Sequence, residues 1–190
     1  MLLDTLTTID GNWSFTPSSD LSAGSHSFTA TATDGASNVS DYSAAYQVNI
    51  DTTIEVPVIT GAIDDVDPVQ ETVADGGYTN DTLPTITGTA EKGSTVRLYN
   101  SVGDVLIATV TANSSTGVWN VPLGDALTDA SHSFYATATD LAGNLSGNSL
   151  AFVLNVDTVR PNAPAVNVAD DVDPVQDPVA DGGYTNDTTP

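Results

Sequence analysis

The chain has no cysteine, so neither a disulfide nor a thiolate metal site can brace it. Basic residues are almost as scarce. Lys92, Arg97 and Arg160 stand against 25 acidic residues, for a formal net charge of −22 at pH 7. A surface of that sign repels phosphate backbones and anionic lipid, which excludes nucleic acid and anionic membrane as partners. No apolar run approaches the roughly 20 residues that span a bilayer, so direct membrane insertion is not expected. The opening MLLDTLTTID has no basic start and no long apolar stretch, and does not read as a signal peptide. Helical periodicity is missing too: no stretch keeps a 3.6-residue pattern over three turns.

What the chain does have is itself, twice. Residues 64–84 (DDVDPVQETVADGGYTNDTLP) return as residues 170–190 (DDVDPVQDPVADGGYTNDTTP), identical at 18 of 21 positions with an offset of 106. The same offset maps Trp13 onto Trp119, His26 onto His132, Asp34 onto Asp140, Asn38 onto Asn144 and Asp51 onto Asp157. A period this long is one small domain, so the chain reads as part of a tandem array. Its phase predicts three pieces: residues 1–51 as the C-terminal half of a truncated module, 52–157 as one complete module, and 158–190 as a linker with the opening third of the next. The first piece has no counterpart of residues 84–106 and is expected to leave an apolar face uncovered.

Within the complete module, two-residue alternation dominates. Strands are predicted at 56–60, 85–89, 94–99, 105–111, 117–121, 133–139 and 150–156, separated by GluLysGly, ValGlyAsp, SerSerThrGly and AspLeuAlaGlyAsn turns. Phe134, Ala136 and Ala138 fall on one face of their strand. Leu150, Phe152, Leu154 and Val156 share a face, as do Leu106, Ala108 and Val110. Seven short strands of about 106 residues predict an all-β, immunoglobulin-like two-sheet sandwich. Alternate strands run in opposite directions. The loop 140–148 should therefore face the preceding module, near the linker that begins at Asp51, and the long excursion 61–82 should lie at the other end, near Asp157.

The acids themselves are selective: 22 of the 25 are Asp. Asp is a turn former, but it is also a short, hard oxygen ligand for Ca²⁺. Turn formation and solubility account for scattered residues such as Asp20, Asp104 and Asp129. They account less well for Asp64, Asp65, Asp67, Asp75 and Asp81 in one excursion, since carboxylates ~4 Å apart at an effective dielectric near 20 repel by roughly 4 kcal/mol. Bound Ca²⁺ is the expected cofactor. One candidate site joins Asp51 to Asp140 at a module junction, with Asn144 or backbone carbonyls completing the shell; Asp34 and Asp157 are the repeat equivalents. The second is the excursion, repeated as Asp170, Asp171 and Asp173. It lacks the Gly and Glu positions of an EF-hand loop, and an Asx-rich turn around Pro68 is the alternative, but five acids in one 18-residue loop favour the metal.

The strings PTITGTAEKGSTVRLYN, TGVWNVPLGDAL and SHSFYATATDLAGNLS with the closing ValAspThr resemble the bacterial immunoglobulin-like repeats of giant surface adhesins. These are biofilm-associated and epithelial-attachment proteins exported by type I secretion. The insertion DDVDPVQ…DGGYTND resembles a longer variant of that repeat. The resemblance implies an extracellular, calcium-stiffened rod in which the linker Asp and the Asp of the ATD-x-AGN loop are cation ligands; here these match Asp51 and Asp140. The first copy departs from the pattern, with Ser37 where the second has Gly143.

Other constellations read plainly. His26 and His132 have no second His or Cys in their module, so a strand histidine near the surface is expected rather than zinc. Trp13 and Trp119 read as core or rim, with sugar stacking as the alternative. No Ser/His/Asp arrangement or Gly-x-Ser-x-Gly is present, and no enzyme is expected. The expected role is a spacer repeat of a secreted or cell-surface adhesin in cell adhesion or biofilm formation. Its partners would be neighbouring modules of the same chain, with a glycan or surface receptor met by the full-length protein. The alternatives are a carbohydrate- or host-protein-binding module, or an accessory domain of a secreted hydrolase.

Overall fold

A computed structural model describes residues 3–8, 10–68, 70–169, 171–172 and 178–188. Among these every regular element is a strand, and no helix is long and apolar enough to cross a membrane. The chain divides into two compact units, Met1–Thr158 and Val159–Pro190.

The first unit opens with an antiparallel hairpin of β1 (Gly24–Phe28) and β2 (Tyr46–Ile50). Next come β3 (Val58–Ile63), β4 (Thr72–Val73), β5 (Tyr78–Thr79), β6 (Thr85–Thr89), β7 (Thr95–Asn100), β8 (Val105–Thr111), β9 (Val118–Pro122), β10 (Ala130–Thr139) and β11 (Phe152–Val156). They form two sheets, of order β4-β3-β6-β9 and β5-β11-β10-β7-β8. This is an immunoglobulin-like sandwich built on the seven predicted strands, with two short additions from the excursion. One addition, β4, extends the first sheet beside β3; the other, β5, runs parallel to β11 and extends the second. The excursion thus blunts a flank of each sheet, where open strand edges would invite pairing with another chain.

Alternation places the core. Ile86, Val96, Leu98, Phe134, Ala136, Ala138 and Leu154 are wholly buried between the sheets, and each large apolar side chain contributes about 1.5–3 kcal/mol by leaving water. Trp119 is 2% exposed and lies over Gly88, where any β-carbon would come within 2.3 Å of the indole. That burial removes Trp119 as a sugar-stacking platform.

Two facial assignments are corrected. Leu150 is 91% exposed rather than aligned with Phe152. The backbone and hydroxyl of Ser149 are still bonded to Ala136, and the chain regains the ladder only at Phe152. Leu106 is half exposed while Ala108 and Val110 pack on the core. The ladder between β7 and β8 shifts register at Leu98 and Tyr99, skipping Ile107, and a bulge of one residue reverses the alternation beyond it. Strand β3 begins after Pro57, which has no N–H to give to a ladder.

The second unit holds β12 (Val168–Ala169) paired with β13 (Pro178–Val179). Its register, Val168 opposite Val179, repeats that of Ala62 opposite Val73.

Candidate metal centre

Three segments converge where the first copy meets the complete module. Asp51 directly follows β2, Glu91 lies in the turn between β6 and β7, and Asp140 directly follows β10. Carboxylate oxygens of the three all lie within 4.8 Å of one another. The topology explains the convergence, because the β6–β7 turn and the β10–β11 loop lie at the same end of the sandwich.

Each segment is held locally. The Glu91 turn is closed by the Ser94 amide and hydroxyl, which donate to the Glu91 carbonyl at 3.0 and 2.7 Å, and Gly93 supplies the left-handed residue it needs (φ 77°). Asp140 accepts the Asn144 amide at 2.9 Å and the Asn144 side-chain NH₂ at 2.8 Å. That same NH₂ donates to the Asp51 carbonyl at 3.1 Å. Asn144, expected to help complete the shell, uses its side-chain nitrogen as a clamp that ties the loop to the linker and orients the acids.

The electrostatics divide. Burial opposes ionisation of Asp140, but the hydrogen bonds from Asn144, with those from Gly143 and Ala142, outweigh it and hold the carboxyl below the usual range. Glu91 is pushed above that range, first by burial and then by the charges of Asp140, Asp51 and Glu55. Every charge acting on Glu91 is another carboxylate. The donors are all hard oxygens with no imidazole or thiolate, a set that fits Ca²⁺ rather than zinc.

Glu91 was not among the expected ligands. The signal was available: strand alternation alone puts its turn at the same end as Asp140. Glu91 is one of only three Glu, and composition alone does not single it out among 22 Asp.

The other expected positions separate into groups. Asp34 repeats the clamp of Asp140, accepting the Asn38 amide and side-chain NH₂, each at 2.9 Å, but it is exposed. The excursion is not one cluster. Asp64 and Asp81 are buried, 5% and 3% exposed, whereas Asp65 and Asp67 are exposed. Asp75 accepts the Val153 amide at 2.7 Å and so serves the edge of β11. Thr79 pairs with Val156, three residues along, which sets Asp75 about 10 Å from that level of the strand. Asp157 is exposed and donates its amide to the Thr79 carbonyl at 3.0 Å. Asp171, in the second unit, is exposed. Asp170 and Asp173 lie outside the described residues. His132 contacts the Thr128 carbonyl through Nε2 at 2.8 Å, and His26 does the same with Ser22.

A family model for the bacterial Ig-like domain matches residues 2–52 and again residues 58–158. The chain belongs to the bacterial Ig-like domain family. Eight solved chains are similar to it. One of them, a biofilm associated protein described by its BSP domain, shares 17% identity at a TM-score of 0.41. That match covers 73% of this chain, which spans only 20% of the length of that one. No curated protein matches. In the Ig-like module the three carboxylates therefore sit at the entrance, where one copy hands the chain to the next.

Proposed function

We propose that this chain is a spacer segment of a large extracellular bacterial adhesin, and that calcium stiffens the joint between its Ig-like modules. The observation that carries the reading is the meeting of Asp51, Glu91 and Asp140 within 4.8 Å, one from the linker and two from the module beyond it. Tandem near-copies support it as well, since repetition serves reach and multivalency whereas a reaction needs its site once.

The residues divide the work. Asp140 and Glu91 belong to the rigid sandwich, and Asp51 belongs to the end of the preceding hairpin, so any hinge motion of the linker separates them. Asn144 keeps Asp51 and Asp140 in register. A bound Ca²⁺ supplies the positive charge that lets three carboxylates stay together. A ligand that binds only the closed joint stabilises it by RT ln(1 + [L]/Kd), about 2.7 kcal/mol at a hundredfold excess over Kd. Sites of extracellular modules work near 10⁻⁴–10⁻³ M, so the joint would be loose in the cytoplasm and firm outside. Localisation at the cell surface, and contact with a glycan or receptor through the full-length protein, are parts of the same proposal.

Small-angle scattering with and without calcium tests it. Chelation should broaden the range of dimensions of the wild-type chain, and Asp140→Asn should broaden it with calcium present. An Asp140→Asn protein that keeps the wild-type calcium response would sink the junction reading.

A further inference from the structure

The opposite end of the module carries an independent feature. Two limbs of the excursion are zipped together: the Thr79 hydroxyl donates to Asp64 Oδ2 at 2.6 Å, and the Asn80 side chain donates to the Asp67 carbonyl at 2.9 Å. Thr79 Oγ1 in turn accepts the Asp81 amide at 2.9 Å. One threonine hydroxyl thus sits between two aspartates, both almost wholly removed from water.

Their remaining bonds are short accounts. Asp64 Oδ1 accepts the Val66 amide at 2.9 Å, and Asp81 Oδ1 accepts the Leu83 amide at 2.7 Å. Asp81 Oδ2 accepts nothing and is sealed from solvent. Among the described residues only one other buried side-chain polar atom, Trp119 Nε1, lacks a partner, and it is neutral. A buried carboxylate oxygen with no donor is costly, and native structures rarely leave one so. None of the groups that bond Asp64 or Asp81 is basic. Asp81 Oδ2 thus faces neither a donor nor a bonded basic group.

We infer that the excursion holds a second cation centre at the unanswered Asp81 Oδ2, on the buried limb that Thr79 zips to Asp64, and that it takes a divalent, oxygen-seeking ion of the calcium type. It stands on different residues from the junction and does not depend on it. The half-knot recurs in the second unit, where the Asp187 amide donates to Thr185 Oγ1 at 2.9 Å and Asp187 is 8% exposed. The centre has a mechanical consequence. The Thr79 carbonyl holds the Asp157 amide, and the Asp129 carboxylate accepts the Thr158 amide and hydroxyl at 2.9–3.1 Å. An ion that fixes Thr79 therefore also steadies Asp157, next to the Thr158 that Asp129 already holds.

The test is a calcium titration of the whole chain followed by amide NMR. The Val66, Asp81 and Leu83 amides report this centre, and the Asn144 amide reports the junction. The expected result is that the first three shift along one binding curve, that Asp81→Asn abolishes that curve, and that the Asn144 response is unchanged. If Val66, Asp81 and Leu83 stay still up to millimolar calcium in the wild type, the inference is overturned whatever Asn144 does. A still Asn144 beside moving Asp81 and Leu83 would sink the junction and leave this centre standing. The wild-type titration decides even if Asp81→Asn fails to fold.

Discussion

The same hairpin occurs twice in this chain, once bare and once covered. In the first copy β1 and β2 pair Gly24 with Ile50 and Phe28 with Tyr46; in the second, β10 and β11 pair Ala130 with Val156 and Phe134 with Phe152. Every pairing is offset by the repeat length. The isolated bridges Thr33–Val39 and Thr139–Leu145 also correspond. Burial does not follow. Trp13 is 59% exposed where Trp119 is 2% exposed, and Tyr46 is 72% exposed where Phe152 is 3% exposed. Local geometry is written in each copy; burial requires the facing sheet β4-β3-β6-β9, which only the second copy meets.

The largest expected difference lies at the tryptophans. Trp119→Ala should cost about 3–5 kcal/mol, as large-to-small aromatic changes in cores do. Trp13→Ala should stay within about 0.5 kcal/mol, as exposed substitutions do. Denaturant unfolding of both variants measures the contrast, and equal effects would show that the first copy has a covered face.

A smaller contrast falls on the glycines Gly11 and Gly117, which share a left-handed backbone at φ 79° and 78°. A β-carbon at Gly117 would meet the Ala90 carbonyl at 2.5 Å, whereas at Gly11 it would meet nothing within 4 Å. Gly11→Ala should therefore cost only about 1–2 kcal/mol of backbone strain. Gly117→Ala should add about 1–3 kcal/mol of crowding.

Calcium sharpens the comparison further. Asp34 and Asp140 have the same asparagine clamp, but only Asp140 has Glu91 and a linker Asp beside it. Asp140→Asn should abolish most of the calcium-dependent rise in melting temperature, while Asp34→Asn should leave it. Scanning calorimetry with calcium and with chelator reads the difference.

The smallest effects are in titration. Asp34 is held below the ordinary carboxylate range, first by the Asn38 side chain, and Asp140 lies below it by the balance already described. Each contributes stability that is complete above the ordinary Asp value and lost as pH falls through its depressed one. Glu91 is shifted the other way, so in calcium-free protein it favours folding below the ordinary Glu value and gives that up as pH rises through its raised one. Carboxyl NMR titration should put Glu91 above Asp34 and Asp140, and Asn38→Ala should move Asp34 upward while leaving Asp140 in place.

Much of this was legible in the residues. Strict alternation in FYATAT marked Phe134, Ala136 and Ala138 as core, and all three are wholly buried. The offset between copies, read with strand alternation, pointed Asp140 back toward Asp51, and the two do meet. Reading failed where the period was interrupted. The bulge at Ile107 cannot be seen in VLIATVT, because a skipped residue leaves the composition unchanged and alters only the phase. The excursion reads in sequence as one acidic loop, yet its acids part company. Asp75 is drawn to the β11 edge, and Asp64 and Asp81 are drawn inside.

By itself the sequence determined the all-β class, the repeat length and the core faces of the unbroken strands, because these rest on alternation and on the offset between near-copies. The tertiary structure alone decided that Glu91 joins Asp51 and Asp140, that Leu150 and Leu106 turn outward, and that Asp81 is buried with an unanswered oxygen. Those outcomes depend on which segments, far apart in the chain, the two sheets bring to the same place.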